Sequence, residues 1–205
     1  MPCWRLRGTS PEDFGISADT IHTSGSTSAS LISVRSTAGF GTLYQFADAT
    51  ALRGKRIEFT ADLRTFRVEY HAGLFVRIDD ADGNALALDN LWYSYEEIRS
   101  DDRLVNRSLR GDQEWSTLSI VIDVPEGAHA LSYGAYLFGG GQVWIDNARL
   151  ETVTNTTPVT GLVRDQQMLA GTEPFPAAQV PQAPRNLDFE KNAAAACGPF
   201  VTTGS

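Results

Sequence analysis

The sequence has few of the residues and segments on which several common functional classes depend. Among its 205 residues are two cysteines and three histidines, with none of the close cysteine or histidine spacings that zinc sites use. No run of about 18 apolar residues occurs, so a membrane-spanning helix is excluded. The N-terminus, MPCWRLRGTSPEDF, lacks the apolar core of a signal peptide, so a cytoplasmic location is expected.

The two cysteines, Cys3 and Cys197, lie at opposite ends of the sequence. In a cytoplasmic protein such cysteines are expected to be free thiols, because that compartment keeps thiols reduced. The alternative is that the two ends of the chain lie close together in the fold.

The charge of the chain argues against a nucleic-acid partner. The net charge is −8, whereas binding to phosphates needs a concentrated positive surface. The arginines are scattered, and several stand beside acids. A small-molecule ligand or substrate is therefore the expected partner, with neither nucleic acid nor membrane involved.

Apolar and polar residues alternate with a period of two from about residue 29 to residue 151. In the stretch Ala72–Asp79, for example, the residues Ala72, Leu74, Val76 and Ile78 fall on one face. Turn sequences separate such stretches, and sustained helical periodicity is absent. The predicted strands are Ala29–Val34, Phe40–Phe46, Arg56–Leu63, Ala72–Asp79, Ala85–Asn90, Leu118–Val124, Ala130–Phe138 and Gln142–Glu151. This pattern predicts an all-β fold, an antiparallel β-sandwich of jelly-roll type formed by residues 1–151.

The sequence changes character after Glu151. Residues 152–185 are rich in Thr, Pro, Gln and Ala without a clear period, which predicts an extended linker. In residues 186–190, Leu187 and Phe189 alternate with acids, which predicts a strand that returns to complete the sandwich. Residues 191–205 are expected to form a tail.

Several passages together resemble a known kind of domain. They are Ser24–Ser33, Gly39–Gln45, Arg53–Thr65, Ala72–Asp80, Leu86–Asn90, Asp123–Ala128 and Gly141–Glu151. Over residues 4–151 the sequence resembles bacterial jelly-roll domains similar to carbohydrate-binding and galactose-binding-like modules. The resemblance implies a β-sandwich, often fused to helix-turn-helix regulators in that family. It implies little about activity, because this fold carries unrelated functions.

The resemblance also bears on the C-terminal segment. In that family a segment like PRNLDFE comes first, just before a motif resembling CWRLRGTSPEDF, whereas here it occupies residues 184–190. This order implies a circularly permuted jelly roll in which residues 186–190 fill the position of the first strand. The alternatives are a strand exchanged between two protomers, which would give a homodimer, and the truncated start of a second domain.

Compared with the family pattern, residues WYSYEEIRSDDRLVNRS are inserted after Leu91. Loops of this kind often carry function, and three aromatic residues are unusual in a solvated loop. The insertion is therefore predicted to form an aromatic and acidic lid over a ligand groove. A solvated loop and a contact with a neighbouring subunit are the alternatives.

A jelly roll offers a concave sheet face for binding. The non-core face of the strand from residue 71 to 79 carries His71, Gly73, Phe75, Arg77 and Asp79, a mixture that suits a polar ligand groove, although an ordinary solvated face is the alternative. The predicted ligand-binding residues are Tyr70, Phe75, Arg77, Asn90, Trp92, Tyr93, Tyr95, Arg99, Tyr136 and Trp144. The predicted acid–base residues are His71, Asp89 and Glu96.

No cofactor is expected, because the sequence has no phosphate loop and no pair of metal-binding histidines. Related jelly rolls hold a structural calcium near the chain ends, which makes Asp146 and Glu190 the acids to consider, although no dense acidic loop accompanies them.

Three functions remain open. The first is a stand-alone module that binds a small polar or aromatic-bearing ligand in the groove. The second is a cofactor-independent cyclase, isomerase or lyase of bacterial secondary metabolism that uses carboxylate, histidine and tyrosine groups. The third is a structural protein that assembles through its C-terminal strand.

Overall fold

The computed structural model describes residues 3–92, 107–160 and 183–190. These residues form nine strands and two short 3-10 helices, Pro11–Asp13 and Thr50–Leu52. No helix in the described ranges is long and apolar enough to cross a membrane. The strands are β1 (Arg5–Gly8), β2 (Phe14–Asp19), β3 (Ser28–Ser33), β4 (Phe40–Asp48), β5 (Arg56–Asp79), β6 (Ala85–Asp89), β7 (Leu109–Asp123), β8 (Ala130–Phe138) and β9 (Gln142–Val153).

All the strand pairs are antiparallel, and β5 connects the two halves of the fold. The strand order is β1-β4-β8-β5-β9-β3-β2, with β6 and β7 also paired to β5. Residues 71–79 of β5 pair with β8, and residues 56–66 pair with β9. The sheet therefore folds over in the middle of β5 into two packed layers. The prediction of an all-β antiparallel sandwich is confirmed.

The strand β5 runs through the region where two separate strands were predicted. Its pairing with β7 shifts register after Leu63, Thr65 and Val68, and Arg67 has a φ of 51°. Such bulges insert residues that do not follow the alternation while the pairing continues on either side. The interruption in the sequence pattern therefore marks a bend in one strand.

The main core lies between the two layers. The alternating set predicted for β5, Ala72, Leu74, Val76 and Ile78, is fully buried there. The ring of Tyr133 on β8 lies at the centre of this core and packs edge-on against the rings of Trp4 and Phe59. Each layer thus contributes one apolar face to the core, as period-two alternation requires.

Residues 183–190 pack against the sandwich as a turn, so the prediction of a strand at residues 186–190 is wrong. The ring of Phe189 is 2% exposed and stacks on Trp4 with the centroids 4.9 Å apart. The indole Nε1 of Trp4 donates a hydrogen bond to the carbonyl of Asn186 at 3.1 Å. Asn186 and Phe189 have φ values of 49° and 58°, which take the backbone out of the extended region that a strand needs. We call residues 183–190 the docked segment.

In this single chain the docked segment contacts its own sandwich. The amide of Ala148 on β9 donates to the carbonyl of Leu187 at 3.2 Å, and Gln45 on β4 bonds to the backbone of Arg185. The segment therefore lies across both layers. Circular permutation and strand exchange between protomers remain predictions.

The first part of the predicted linker also packs on the sandwich. Strand β9 extends to Val153, and the guanidinium of Arg56 donates to the carbonyls of Asn155 and Thr157. Thr160 donates from its backbone N–H to the carbonyl of Val121 at 3.0 Å. Residues 161–182 and 191–205 lie outside the described residues.

Cys3 is disulfide-bonded, so the prediction of a free thiol there is wrong. Cys197, the other cysteine of the sequence, lies outside the described residues. Disulfides are rare in reducing compartments, so this bond gives no support to the expectation of a cytoplasmic location.

Candidate functional site

A second apolar cluster lies on the outer face of the layer that contains β4, β5 and β8. It consists of Tyr44, Phe75 and Tyr136, with Phe46 packed against it, and it is separate from the main core. In the strand register, Gly134 on β8 stands between Tyr44 on β4 and Phe75 on β5. Because glycine has no side chain, no side chain of β8 separates the two rings at this position. We call the outward side chains of β1, β4, β5 and β8 the groove face.

One end of the groove face is an aromatic stack centred on His71. The imidazole lies parallel to Trp92, at 4.7 Å between centroids, and to Phe138, at 5.0 Å. Its Nδ1 lies 3.3 Å from the hydroxyl of Tyr136. Burial lowers the pKa of His71 from its ordinary value, because the charged imidazolium is poorly solvated there. The ring is therefore neutral at pH 7 and can both donate and accept a hydrogen bond.

Gly73 provides space for an aromatic ring rather than for an open groove floor. A Cβ at this position would lie 3.1 Å from Cε1 of Tyr136. The ring of Tyr136 thus occupies the space that the small residue leaves. A larger residue at position 73 would displace the ring that bonds to His71.

The opposite part of the groove face holds a buried ion pair. The Nε of Arg77 donates to Oδ1 of Asp79 at 2.7 Å, and an Nη of Arg77 donates to the carbonyl of Gly83 at 3.3 Å. Oδ2 of Asp79 is the one buried side-chain polar atom of the described residues that has no hydrogen-bond partner. Burial raises the pKa of Asp79, and Arg77 offsets part of that rise. The pair is a polar centre inside an otherwise aromatic surface.

Two arginines of β1 complete the groove face at its edge. The register places Arg5 beside Tyr44 and Arg7 beside Thr42. The guanidinium carbon of Arg5 lies 5.9 Å from the centroid of Phe46. Neither arginine was among the predicted site residues, because residues 5–8 were not predicted to form a strand. The available signal was the alternation of Trp4 and Leu6 with the two arginines.

Asp89 points away from the groove face and stabilises the end of β6 through hydrogen bonds. Its carboxylate accepts hydrogen bonds from the backbone N–H of Leu91 and from the hydroxyl of Thr160, both at 2.9 Å. An Nη of Arg107 lies 3.2 Å from the same carboxylate. These contacts favour an anchoring role over that of a general base. The catalytic role of Asp89 remains a hypothesis with no supporting contact in the groove.

The remaining predicted residues are distributed as follows. Tyr70 is 51% exposed and lies at the rim, with its ring 5.4 Å from that of Phe138. Asn90 accepts a hydrogen bond from the backbone N–H of Trp92 at 3.3 Å, which shapes the turn after β6. Trp144 lies on the outer face of the other layer, where its indole donates to Asp19 at 2.9 Å.

The structure therefore brings some of the predicted residues together and separates others. Those that share the groove face or its rim are Tyr70, His71, Phe75, Arg77, Trp92 and Tyr136. Those that lie outside the described residues are Tyr93, Tyr95, Glu96 and Arg99, together with the rest of residues 93–106 of the predicted lid.

The two acids considered for calcium accept hydrogen bonds from a loop instead. Oδ2 of Asp146 accepts from the backbone N–H groups of Thr23 at 2.8 Å and Ser24 at 3.1 Å. The carboxylate of Glu190 accepts from the backbone N–H and hydroxyl of Ser26 and from the N–H of Thr27, which lowers its pKa to about 2.

Calcium needs oxygen ligands, whereas these carboxylates face N–H donors. The described ranges contain no group of three or more His, Cys, Asp or Glu residues placed to hold a metal ion. The residues present do not fit the predicted calcium site. The two acids bind the loop that holds the docked segment.

A shallow depression of about 520 Å³ lies away from the groove face, between β3, the start of β9 and the bend of β5. Its lining includes Val34 and Phe66, which are 57% and 44% exposed. Its aromatic content is a single ring, that of Phe66, which the guanidinium of Arg67 covers at 4.9 Å. The groove face, with converging rings and buried polar groups, better fits the general description of a ligand site.

The chain was compared with known proteins. No protein-family model matches it. It is 31% identical over 195 residues to YbfP, an uncharacterized HTH-type transcriptional regulator of Bacillus subtilis strain 168. That match covers 93% of this chain and 57% of the regulator, so the chain spans little more than half of that relative's length.

Solved structures with a similar fold include carbohydrate-binding modules. The xylan-binding domain CBM22-1 of Paenibacillus barcinonensis Xyn10C has a TM-score of 0.50 at 15% identity, over 75% of this chain and 87% of that one. A carbohydrate-binding module of the β-sandwich superfamily has a TM-score of 0.51 at 10% identity, over 74% and 58% of the two chains. A domain of the bacteriophage CBA120 tailspike protein 4 has a TM-score of 0.53 at 16% identity, over 74% and 19%.

These identities are too low to transfer a function, but the agreement in fold is consistent. The regulator also agrees with the expectation that this domain occurs in helix-turn-helix proteins. The chain is a β-sandwich domain with the fold of the carbohydrate-binding modules.

Proposed function

We propose that the groove face binds a small polar ligand that contains a ring, with a saccharide as the first class to test. The observation that carries the proposal is the second apolar cluster of Tyr44, Phe75 and Tyr136. A sandwich needs one apolar face on each layer, and the main core already supplies it. The second apolar cluster, whose three rings are 6–7% exposed, is additional to that requirement.

The polar groups around the cluster suit such a ligand. Aromatic rings stack on the apolar faces of sugar rings, and a few fixed polar groups then set orientation. His71 and Tyr136 offer groups that donate and accept at one end of the groove face, and Arg77 and Asp79 do so at the other. The carbohydrate-binding modules with the same fold support ligand binding in general.

Binding can be tested by titrating the chain with xylo- and galacto-oligosaccharides, using calorimetry and amide chemical shifts. We expect the shifts to concentrate on β4, β5 and β8. Replacing Phe46 or His71 by alanine should weaken binding about tenfold or more, since a lost stacking contact of 1–3 kcal/mol has that effect. The matched control is Trp144→Phe, an aromatic change on the other layer. Shifts confined to the depression near Phe66 would contradict the proposal.

Turnover in the same groove is a second candidate, and one observation favours it. Burial lowers the pKa of His71, so its imidazole is neutral, and its Nδ1 lies 3.3 Å from the hydroxyl of Tyr136. A histidine with a shifted pKa is typical of acid–base sites. In an isomerisation His71 would accept a proton from one atom of the substrate and return it to another, without a cofactor.

The fate of a bound ligand distinguishes a groove that only binds from a groove that catalyses a reaction. If the groove only binds, a ligand incubated with the protein is recovered unchanged, as judged by mass spectrometry and NMR. If it turns the ligand over, His71→Gln should abolish product formation, while calorimetry still detects binding of the ligand.

A further inference from the structure

The strand order ends at two edge strands, β1 and β2, which differ in the features that prevent pairing with another chain. β1 has four residues and carries Arg5 and Arg7, and short, charged edges discourage such pairing. β2 has six residues, FGISAD, without lysine, arginine or proline, and its register with β3 runs without a bulge. β2 therefore lacks the usual protection of an edge strand.

The hydrogen bonds of β3 identify the backbone groups of β2 that face its outer edge. The N–H of Ser33 donates to the carbonyl of Gly141 at 3.0 Å, and the N–H of Val34 donates to that of Asp13 at 2.8 Å. Ser33 thus bonds towards β9, and the bonding direction alternates from residue to residue along an antiparallel strand. The β2 residues opposite Ser33 and every second residue before it therefore direct their backbone groups outward, and they are Phe14, Ile16 and Ala18.

Two of these three residues keep their outward backbone groups unused. The N–H of Phe14 already donates to the carbonyl of Pro11. The outward N–H and C=O groups of Ile16 and Ala18 have no hydrogen-bond partner among the residues that the structure describes. Ala18 and its neighbour Ser17 are exposed. A sheet edge with such groups is a template for a further strand.

A second copy of β2 fits this edge in one antiparallel register. Ile16 then lies opposite the partner's Ala18, and each such pair exchanges both of its N–H···O=C bonds around a two-fold axis beside Ser17. A shift by two residues would place Asp13 opposite the partner's Asp19, and like charges directly opposite each other are unfavourable. The backbone and the charges therefore favour the same register.

This register also continues both faces of the sheet, because side chains opposite each other share a face. Ile16, which packs against the main core, would lie beside the partner's Ala18. On the other face, Asp19 would lie opposite the partner's Gly15 and keep its hydrogen bond to Trp144. The charge of β2 therefore needs no counter-charge from the second copy.

We propose that this protein forms a symmetric dimer in which the β2 edges of two copies pair antiparallel, with Ile16 opposite the partner's Ala18. A two-fold interface needs a surface that is complementary to itself, as this edge is. Two six-residue edges make a small interface, so we expect a weak dimer with a Kd of roughly 0.1–1 mM. The inference is independent of the proposed binding function, because β2 is not part of the groove face.

The dimer can be measured and located in the full chain. Sedimentation equilibrium over a concentration range that brackets the expected Kd measures its formation. Hydrogen exchange followed by NMR locates it. The amides of Ile16 and Ala18 should exchange more slowly as the protein concentration rises. Those of Gly15 and Ser17, which the register directs to β3, should not change.

Two variants test the edge. Ala18→Pro removes an outward N–H in each copy and leaves the bonds between β2 and β3 intact, so the Kd should rise about tenfold or more. Ser17→Glu places like charges at the two-fold axis and should raise the Kd at least about threefold. The matched control is Thr156→Glu, an equal change of charge in the exposed turn after β9, and it should leave the Kd unchanged. Circular dichroism and thermal melting verify that each variant is folded.

An introduced cysteine tests the register. Opposed residues that do not bond to each other have Cα atoms about 4.5 Å apart, which is within the range of a disulfide. With oxidised glutathione as the oxidant, Ser17→Cys should give a covalent dimer, and mass spectrometry should identify a link between the two peptides that contain position 17. Gly15→Cys is the control, and its two copies should not link to each other.

Three results would overturn the inference. The first is a chain that stays monomeric at millimolar concentration. The second is a dimer that neither Ala18→Pro nor Ser17→Glu weakens, because another surface would then form it. The third is slower exchange confined to residues 183–190, which would indicate an exchange of the docked segment between two copies.

Discussion

The main core and the second apolar cluster lie on opposite faces of the same strands. They differ in the hydrogen bonds that the polar groups beside them make. On the core face, Tyr133 bonds to Gln45, which in turn bonds to the docked segment. On the groove face, Asp79 keeps one oxygen without a partner, and charged side chains stand among the rings. The difference is therefore a single buried oxygen, Oδ2 of Asp79, which has no hydrogen-bond partner on the groove face.

On the strand β8, the residues expected to determine stability and those expected to bind a ligand lie on opposite faces. The strand β8 is buried on both faces over most of its length, although only one of them closes the sandwich. Substitutions on the core side should therefore cost stability, and those on the groove side should mainly change ligand binding. The predictions below test this division.

The largest expected effect is at the docked segment. Replacing Phe189 by alanine removes a ring that is 2% exposed and stacked on Trp4, which should lower the free energy of unfolding by about 3–5 kcal/mol. Chemical denaturation measures the change. The matched control is Phe66→Ala, because Phe66 is 44% exposed, and it should cost less than about 1 kcal/mol. Equal losses would mean that the segment does not complete the core.

The buried ion pair should have the next largest effect on stability. Replacing Arg77 by methionine leaves the buried carboxylate of Asp79 without its cation, which should cost about 3 kcal/mol. The double variant Arg77→Met, Asp79→Leu should recover most of that loss, because an apolar pair leaves no buried charge. The same double variant should not recover ligand binding. A double variant that is as unstable as the single one would show that the pair itself stabilises the fold.

A smaller effect is expected from the pH dependence of His71. Its pKa in the folded state lies below the ordinary value of 6.5, so the unfolded state binds more protons in that range. The free energy of unfolding should therefore decrease as the pH falls below about 6.5. Denaturation curves between pH 5 and 8 measure this slope, and His71→Gln should flatten it. An unchanged slope in the variant would assign the dependence to another group.

The smallest expected effect is local to the loop that holds Glu190. The hydrogen bonds from Ser26 and Thr27 lower the pKa of Glu190 to about 2 from an ordinary 4.5. Their stabilising contribution is present above about pH 4.5 and is lost as the pH falls towards 2. The amide shifts of Ser26 and Thr27 should titrate with a midpoint near 2, and Glu190→Gln should abolish that titration. A midpoint near 4.5 would contradict the hydrogen-bond arrangement.

Much of the layer architecture could be predicted because alternation is a local property. The core face of β5 from Ala72 to Ile78 was predicted residue by residue, and so was the outward set that includes His71, Phe75 and Arg77. The groove could be predicted only in part. Arg5 and Arg7 join it through the pairing of β1 with β4, a long-range contact that no local pattern reports.

Long-range contacts also explain why the surroundings of other predicted site residues differ from the prediction. Trp144 alternates as predicted, but the folding of the sheet at β5 carries it to the other layer, where it bonds to Asp19. Asp146 and Glu190 were named as the acids that could hold a calcium ion, but their partners are backbone N–H groups from residues 23–27. The type of side chain suggested a metal, whereas the groups that face these carboxylates are hydrogen-bond donors.

The sequence by itself determined that this protein is an antiparallel sandwich and which side chains of each strand share a face, because both follow from a period of two along the chain. Only the tertiary structure decided which faces meet, since that depends on strand order, bulges and the return of a segment over a hundred residues away. It placed Phe189 on Trp4, brought Arg5 to the aromatic rings of β4, and left Oδ2 of Asp79 as the polar atom that still requires a partner.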